Sequence, residues 1–232
     1  LTPKSPAFLF DLDGTLVDSV YLHVIAWAEA LEGMGLHVAT WRIHQRIGMS
    51  DDLIAHGLAE EIRRETTEQE EIEIRKRHSE AFLKRADQVR LLPGAKEILS
   101  HMTDCGVRWT IATSSNRQRA QRSLDLLGVG KDVPVVTREA GMRGKPNPDL
   151  FLKAAEQLKV PPEACIVVGD SLWDLLAARR AGALGVGVRS GGYAEAELSH
   201  AGAYRVYDDT AALLRRLDEL GIGGPHEQSL HK

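Results

Sequence analysis

Two hydrophobic periodicities share this chain. Phe8-Leu9-Phe10 is a short apolar run that meets Asp11-Leu12-Asp13-Gly14-Thr15 without a break, which predicts a buried strand ending in a polar loop. The period then lengthens. Val20, Val24, Trp27, Leu31 and Met34 recur at steps of three and four, an amphipathic helix with Gly35 placed as its C-cap glycine. A connector from Trp41 to Gly48 follows, and Ser50 is placed to cap a second helix with Leu53, Ile54, Leu58 and Ile62 on one face. Thr67-Glu68-Gln69-Glu70 has the form of a capping box, opening a third helix that runs to about Asp87. From Asp18 to Gln88 the pattern predicts helix nearly throughout and no strand.

Beyond that stretch the periods alternate. A helix starts at Pro93-Gly94 and stops at Gly106; Val107 to Ala112 reads as a strand; a helix from Arg117 to Leu127 stops at Gly128. Val133 to Val136 is the next strand, Asn147-Pro148 a helix start with a capping side chain and a first-turn proline. Cys165 to Val168 is a continuous apolar run suited to a strand covered on both faces, followed by a helix from Leu172 to Ala181. Leu184 to Val188 and Tyr204 to Val206 are shorter, later strands, and Gly221 to Lys232 is a polar tail expected to fray. The expected class is α/β: a doubly wound, mainly parallel sheet with an inserted helical segment, functional groups gathering at the strands' carboxyl ends.

Those ends carry chemistry. Alternation along an extended strand puts Asp11 and Asp13 on one face while Leu12 turns inward. The next strand ends in Thr113-Ser114-Ser115-Asn116, a later one in Gly169-Asp170-Ser171-Leu172-Trp173-Asp174, and Gly144-Lys145-Pro146 lies between them. Four carboxylates, a hydroxyl and an ammonium suffice for phosphoryl transfer through an acyl phosphate. Asp11 is the expected nucleophile, Asp13 the acid and base, and Thr113 and Lys145 the stabilisers of the transferring group. All-oxygen ligands favour Mg²⁺ over zinc.

Composition narrows the partners. A net charge of -4 over 232 residues argues against nucleic acid and leaves a small molecule as the expected partner. No apolar run reaches the roughly 20 residues of a membrane span. The segment from Leu1 to Pro6 lacks a signal-peptide core, and Cys105 and Cys165 have no framework spacing, so a reduced, cytoplasmic protein is expected.

Asp11-Leu12-Asp13-Gly14-Thr15, Thr113, Lys145 in Gly144-Lys145-Pro146, and Gly169-Asp170-Ser171 with Asp174 together resemble the four ordered motifs of the haloacid dehalogenase-like superfamily. The helical insertion resembles the cap of its phosphoglycolate phosphatase and beta-phosphoglucomutase branch. The resemblance covers nearly the whole chain. It implies a core of residues 1–17 and 89–232, a substrate-selecting cap of residues 18–88, and Mg²⁺ held by Asp11, the Asp13 carbonyl and Asp170, with Asp174 near the metal or its waters. Ser114, Asn116 and His23 are candidate substrate contacts, the first two sharing their loop with a possible helix cap. Arg46, Arg138 and Arg143 read as solvated surface, and Trp27 as cap packing.

Alternatives separate on particular residues. A dehalogenase has no need of Asp13 as leaving-group acid, and a phosphonoacetaldehyde-cleaving enzyme needs a cap lysine, whereas none lies between Leu16 and Arg75. A beta-phosphoglucomutase-type mutase remains open, as does a non-catalytic binding protein. His23, with Trp27 one turn later, resembles the mutase histidine that orients the acid/base Asp. Asp51 stands where the mutase has a basic phosphate contact, and its charge would repel a second phosphate. The expected function is therefore hydrolysis of a small phosphate monoester of sugar, polyol or glycolate type.

Overall fold

The computed structural model describes residues 6–130, 133–139 and 141–223. In chain order the elements are β1 (Ala7–Phe10), β2 (Val17–Asp18), α1 (Val20–Glu32), α2 (Thr40–His44), α3 (Asp51–Glu61), α4 (Glu68–Leu83), β3 (Arg90–Leu91), α5 (Ala95–Asp104), β4 (Trp109–Thr113) and α6 (Arg117–Leu127). There follow β5 (Val135–Thr137), α7 (Asp149–Leu158), β6 (Cys165–Gly169), α8 (Leu172–Ala181), β7 (Leu184–Val188), α9 (Glu195–Ala201), β8 (Arg205–Tyr207) and α10 (Thr210–Leu214).

Six strands form one parallel sheet in the order β5-β4-β1-β6-β7-β8. β1 lies inside it, between β4 and β6, and its four residues explain its lack of alternation. Phe8 and Phe10 join the side chains of α5, α6 and α10 on one face, while Ala7 and Leu9 join those of α7 and α8 on the other. With both faces covered, a strand has to be apolar throughout. The α/β, doubly wound architecture expected from the alternation is the observed one.

Helices α1 to α4 have an apolar cluster of their own, with Val24, Trp27, Leu31, Ile43, Ile54, Leu58 and Ile74 at its centre. The capping box at Thr67 forms: its hydroxyl accepts from the Glu70 amide, and the Glu70 carboxylate accepts from the Thr67 amide.

Several local expectations are corrected. The segment is not free of strands at its ends, because Val17–Asp18 pairs antiparallel with Arg90–Leu91. Two-residue strands carry no readable period. Helix α1 ends at Glu32, and Gly35 takes its left-handed conformation (φ 71°) beyond the helix rather than as its cap. The connector before Gly48 contains α2. Ser50 stands at the N-cap of α3 without capping it, and Pro148, not Asn147, is at the N-cap of α7. The Asn147 amide instead donates to the Gly144 carbonyl at 3.1 Å, closing the turn around Lys145. The tail beyond residue 223 lies outside the described residues.

Candidate active site

The carboxyl ends of β1, β4 and β6 bring the motif residues to one edge of the sheet. Lys145 is wholly buried there, its Nζ 2.5 Å from Asp11 Oδ1 and 2.6 Å from Asp174 Oδ1. Asp11, Asp170 and Asp174 each offer an oxygen within 4.8 Å of the others, and all three are buried. Thr15 fixes Asp170 by donating to its Oδ1 at 2.8 Å. Gly14 has φ 89°, a conformation that glycine adopts without a steric cost. A Cβ at Gly14 would lie 2.3 Å from Asp170 Oδ2, and one at Gly191 1.8 Å from the same atom, so bare backbone frames that oxygen.

Three ionised carboxylates around one ammonium would leave the pocket two negative charges in excess. Burial, with repulsion from Asp174, pushes Asp11 up from 3.8 to about 7 against the pull of Lys145. Burial, then Asp174 and Asp11, raise Asp170 well above the ordinary carboxylate range. Burial alone would lower Lys145, but the Asp11 and Asp174 charges outweigh it and hold the ammonium firmly protonated. A donor set of buried carboxylate oxygens with that excess charge fits a hard divalent cation such as Mg²⁺, with Asp11, Asp170 and Asp174 as the side chains able to hold it.

Asp13 sits in the opposite environment. Ser19 donates to its Oδ1 at 2.7 Å, with His23 Nε2 3.5 Å away, while Ser115 donates to Oδ2 at 3.0 Å and the Thr113 hydroxyl lies 3.5 Å off. Burial would raise its pKa, but His23, Ser19 and Ser115 together hold it well below the usual range. The two neighbouring Asp residues are thus pushed apart, one up and one down.

The other expected residues divide. Ser114 and His23 border the small cavity over Asp11 and Asp13, and Ser114 donates to the Gly48 carbonyl at 3.2 Å, tying the sheet edge to the helical segment. Asn116 stands apart: its side-chain oxygen caps α6, accepting from the Arg119 amide at 3.0 Å. Arg138 and Arg143 are ion-paired with Asp52 and Asp149 at 3.0 and 2.9 Å, and Arg46 pairs with Glu61. Asp51 is not a bare negative charge, since Arg119 lies 2.5 Å from its Oδ2. That pairing removes the repulsion of a second phosphate expected from Asp51 alone. Ser19 on Asp13, and His78 and Arg119 behind His23, are site neighbours that the sequence reading did not single out, whereas Ser115 lies in the loop it weighed between site and helix cap.

A sheet edge of this kind, with this ordered set of groups, defines a class that comparison makes explicit. Residues 6–182 match the model of the haloacid dehalogenase-like hydrolases, and the chain belongs to that family as a hydrolase. It is similar to hexitol phosphatase A of Escherichia coli K12, with 33% identity over 77% of this chain and 81% of that one. It is also similar to the beta-phosphoglucomutase of Bacillus subtilis, with 27% identity over 80% of this chain and 84% of the other. The crystal structure of a hydrolase from Pseudomonas syringae superposes with a TM-score of 0.90 at 44% identity, over 93% of this chain and 99% of that one. Among the described residues no helix is long and apolar enough to cross a membrane.

Proposed function

We propose that this hydrolase is a Mg²⁺-dependent phosphatase for small phosphate monoesters, sugar or polyol phosphates foremost, working through an aspartyl phosphate on Asp11. The observation that carries the reading is the contrast between two adjacent carboxylates: Asp11 in a buried, charge-crowded pocket beside Lys145, and Asp13 separately held by Ser19, Ser115 and His23. An Asp11 oxygen attacks phosphorus while Lys145 offsets the meeting of two anions and binds the phosphoryl oxygens, helped by the Thr113 and Ser114 loop. A bound divalent cation would supply further neutralisation of the phosphoryl charge. The ester oxygen leaves with a proton from Asp13, which then accepts the proton of the water that hydrolyses the acyl phosphate. Resting Asp13 is ionised; it takes up its first proton when an anionic phosphoryl group lies beside it and raises its pKa.

The cavity walls support the substrate class. Beyond Asp11 and Asp13 the described residues lining the cavity are His23, Trp27, Ile47, Gly48, Met49, Asp51, Ile54, His78, Thr113, Ser114 and Ser115, with no lysine or arginine among these described residues. Such walls suit a neutral, hydroxylated leaving group better than a glycolate carboxylate or the second phosphate that a mutase has to hold. We read residues 18–88 as the cap. The cavity encloses about 40 Å³, room for a few waters, so the wall formed by Ile47, Gly48, Met49, Asp51 and Ile54 has to move for an ester to enter.

A panel of hexitol, hexose and pentose phosphates, 2-phosphoglycolate and nucleotides, assayed with Mg²⁺, tests this. Inorganic phosphate should be released fastest from a polyol or sugar phosphate, and excess chelator should stop it. Phosphosugar isomerisation outpacing phosphate release would establish the mutase instead, and preference for 2-phosphoglycolate would overturn the substrate class.

A further inference from the structure

A buried chain of polar groups runs away from Asp13 through both parts of the molecule. His23 Nε2 is 3.5 Å from Asp13 Oδ1, His23 Nδ1 is 3.1 Å from His78 Nε2, and His78 Nδ1 is 3.2 Å from Arg119 Nη1. Arg119 in turn pairs with Asp51. His23 comes from α1, His78 from α4 and Arg119 from α6, and all three side chains are buried. Both imidazoles are also fixed in plane. His23 stacks on Phe82 with centroids 3.9 Å apart and rings 3° from parallel, and His78 stacks on Trp27 at 4.1 Å and 11°. Each helix supplies a histidine and, four residues on, the aromatic face for the other's histidine.

We propose that His78 and Arg119 are positioning residues that fix the direction of this chain, so that His23 always presents an N–H to Asp13. Arginine has donors and no acceptor. Its contact with His78 therefore requires a bare Nδ1, which places the His78 proton on Nε2. That proton is donated to His23, whose Nδ1 has to be bare, which places the His23 proton on Nε2, facing Asp13. Only this assignment satisfies every contact; an added proton on either ring would set N–H against N–H. Burial, with the Arg119 charge, holds His78 well below the usual histidine range, in keeping with a neutral ring. His23 then joins Ser19 in steadying Oδ1 of Asp13 while Ser115 donates to Oδ2, and the proton that Asp13 exchanges with the leaving group stays on the carboxyl group rather than on the imidazole. This catalytic consequence rests on Asp13 being the acid and base; the proton positions do not.

The test is long-range proton–nitrogen correlation NMR on metal-free protein with ¹⁵N-labelled histidine at neutral pH, the signals assigned by their loss in His23→Gln and His78→Gln. His23 and His78 should both be neutral with Nε2 protonated. Either ring doubly protonated, or carrying its proton on Nδ1, overturns the proposal. Arg119→Met should release His78 and His23 into mixed tautomers and lower kcat about tenfold, short of a full acid–base contribution, with KM within about twofold; Arg119→Lys, which keeps a donor, should restore the wild-type shifts and most of kcat. An Arg119→Met protein with unchanged nitrogen shifts would also overturn it, and if that variant does not fold the wild-type spectrum decides alone. The predicted spectrum in a protein that hydrolyses no phosphate ester would strike the phosphatase reading and leave the proton assignment standing.

Discussion

Lys145 has no exposed surface and faces Asp11 and Asp174 at 2.5 and 2.6 Å, with the ring of Phe151 5.2 Å from its Nζ. It serves the fold as well as the chemistry, because without it three carboxylates would share a dry pocket. Breaking a buried ion pair by removing one partner costs about 3–5 kcal/mol. Lys145→Met should therefore lose stability of that order in urea titrations performed with chelator, and should reduce kcat as well as raise KM. A change in KM alone would reduce the lysine to ground-state binding. The residues legible in the sequence were those whose type is demanded by charge: Asp11, Asp13 and Asp170 follow the ends of apolar runs, Lys145 sits in a turn and Asp174 in the first turn of α8, and the fold gathers them. Ser19 was hidden because a serine before a helix reads as a cap, whereas its hydroxyl goes to Asp13 and leaves α1 uncapped. His78 was hidden because its partner His23 is 55 positions away, and no local pattern links them.

At the scale of elements, the helical segment meets the sheet edge through side chains that reach backbone carbonyls. Trp173 Nε1 and the Tyr193 hydroxyl both donate to the Gln45 carbonyl, at 3.0 and 2.9 Å, and His44 Nε2 lies 2.8 Å from the Gly191 carbonyl. Gly144 belongs to this seam: a Cβ there would lie 2.0 Å from both Cβ and Oγ of Ser50, at the start of α3. Gly144→Ala should push α3 away from Lys145's loop and cut kcat/KM by about ten- to a hundredfold, the scale of a 1 Å misplacement. The double variant Gly144→Ala with Ser50→Gly removes both colliding atoms and should recover most of the activity. Steady-state kinetics on the three proteins check this, and failure of the double variant to recover would mean that the seam does not govern closure. Helices with full apolar stripes, α6 and α8 among them, were readable to the residue, since glycine and capping side chains mark their ends. The pairing of β2 with β3 was not, because its two rungs arise from chain ends brought together by the insertion itself.

At the scale of the whole molecule, stability and activity should both respond to a divalent cation held at the sheet edge. Ligand binding to the native state alone adds about 2.7 kcal/mol at a hundredfold excess over Kd. Mg²⁺ should raise Tm in the wild type, and Asp170→Asn should abolish that rise while the metal-free variant, relieved of one charge, melts no lower. An unchanged Mg²⁺ response in Asp170→Asn, followed by differential scanning fluorimetry, would remove Asp170 from the metal site. Fold class was open to sequence reasoning because strand and helix alternate over a long distance. Substrate choice was not, because no local pattern tells which side chains of the helical segment face the cavity, and pairings such as Arg119 with Asp51 neutralise what the sequence shows as charge. The proposed attack of Asp11 on phosphorus stands or falls with phosphate release by Asp11→Asn, measured on the best substrate of the panel with saturating Mg²⁺. An amide in that position cannot form the acyl phosphate, so turnover should fall on the order of 10³-fold or more with the circular dichroism spectrum unchanged; release at near the wild-type rate would contradict the mechanism.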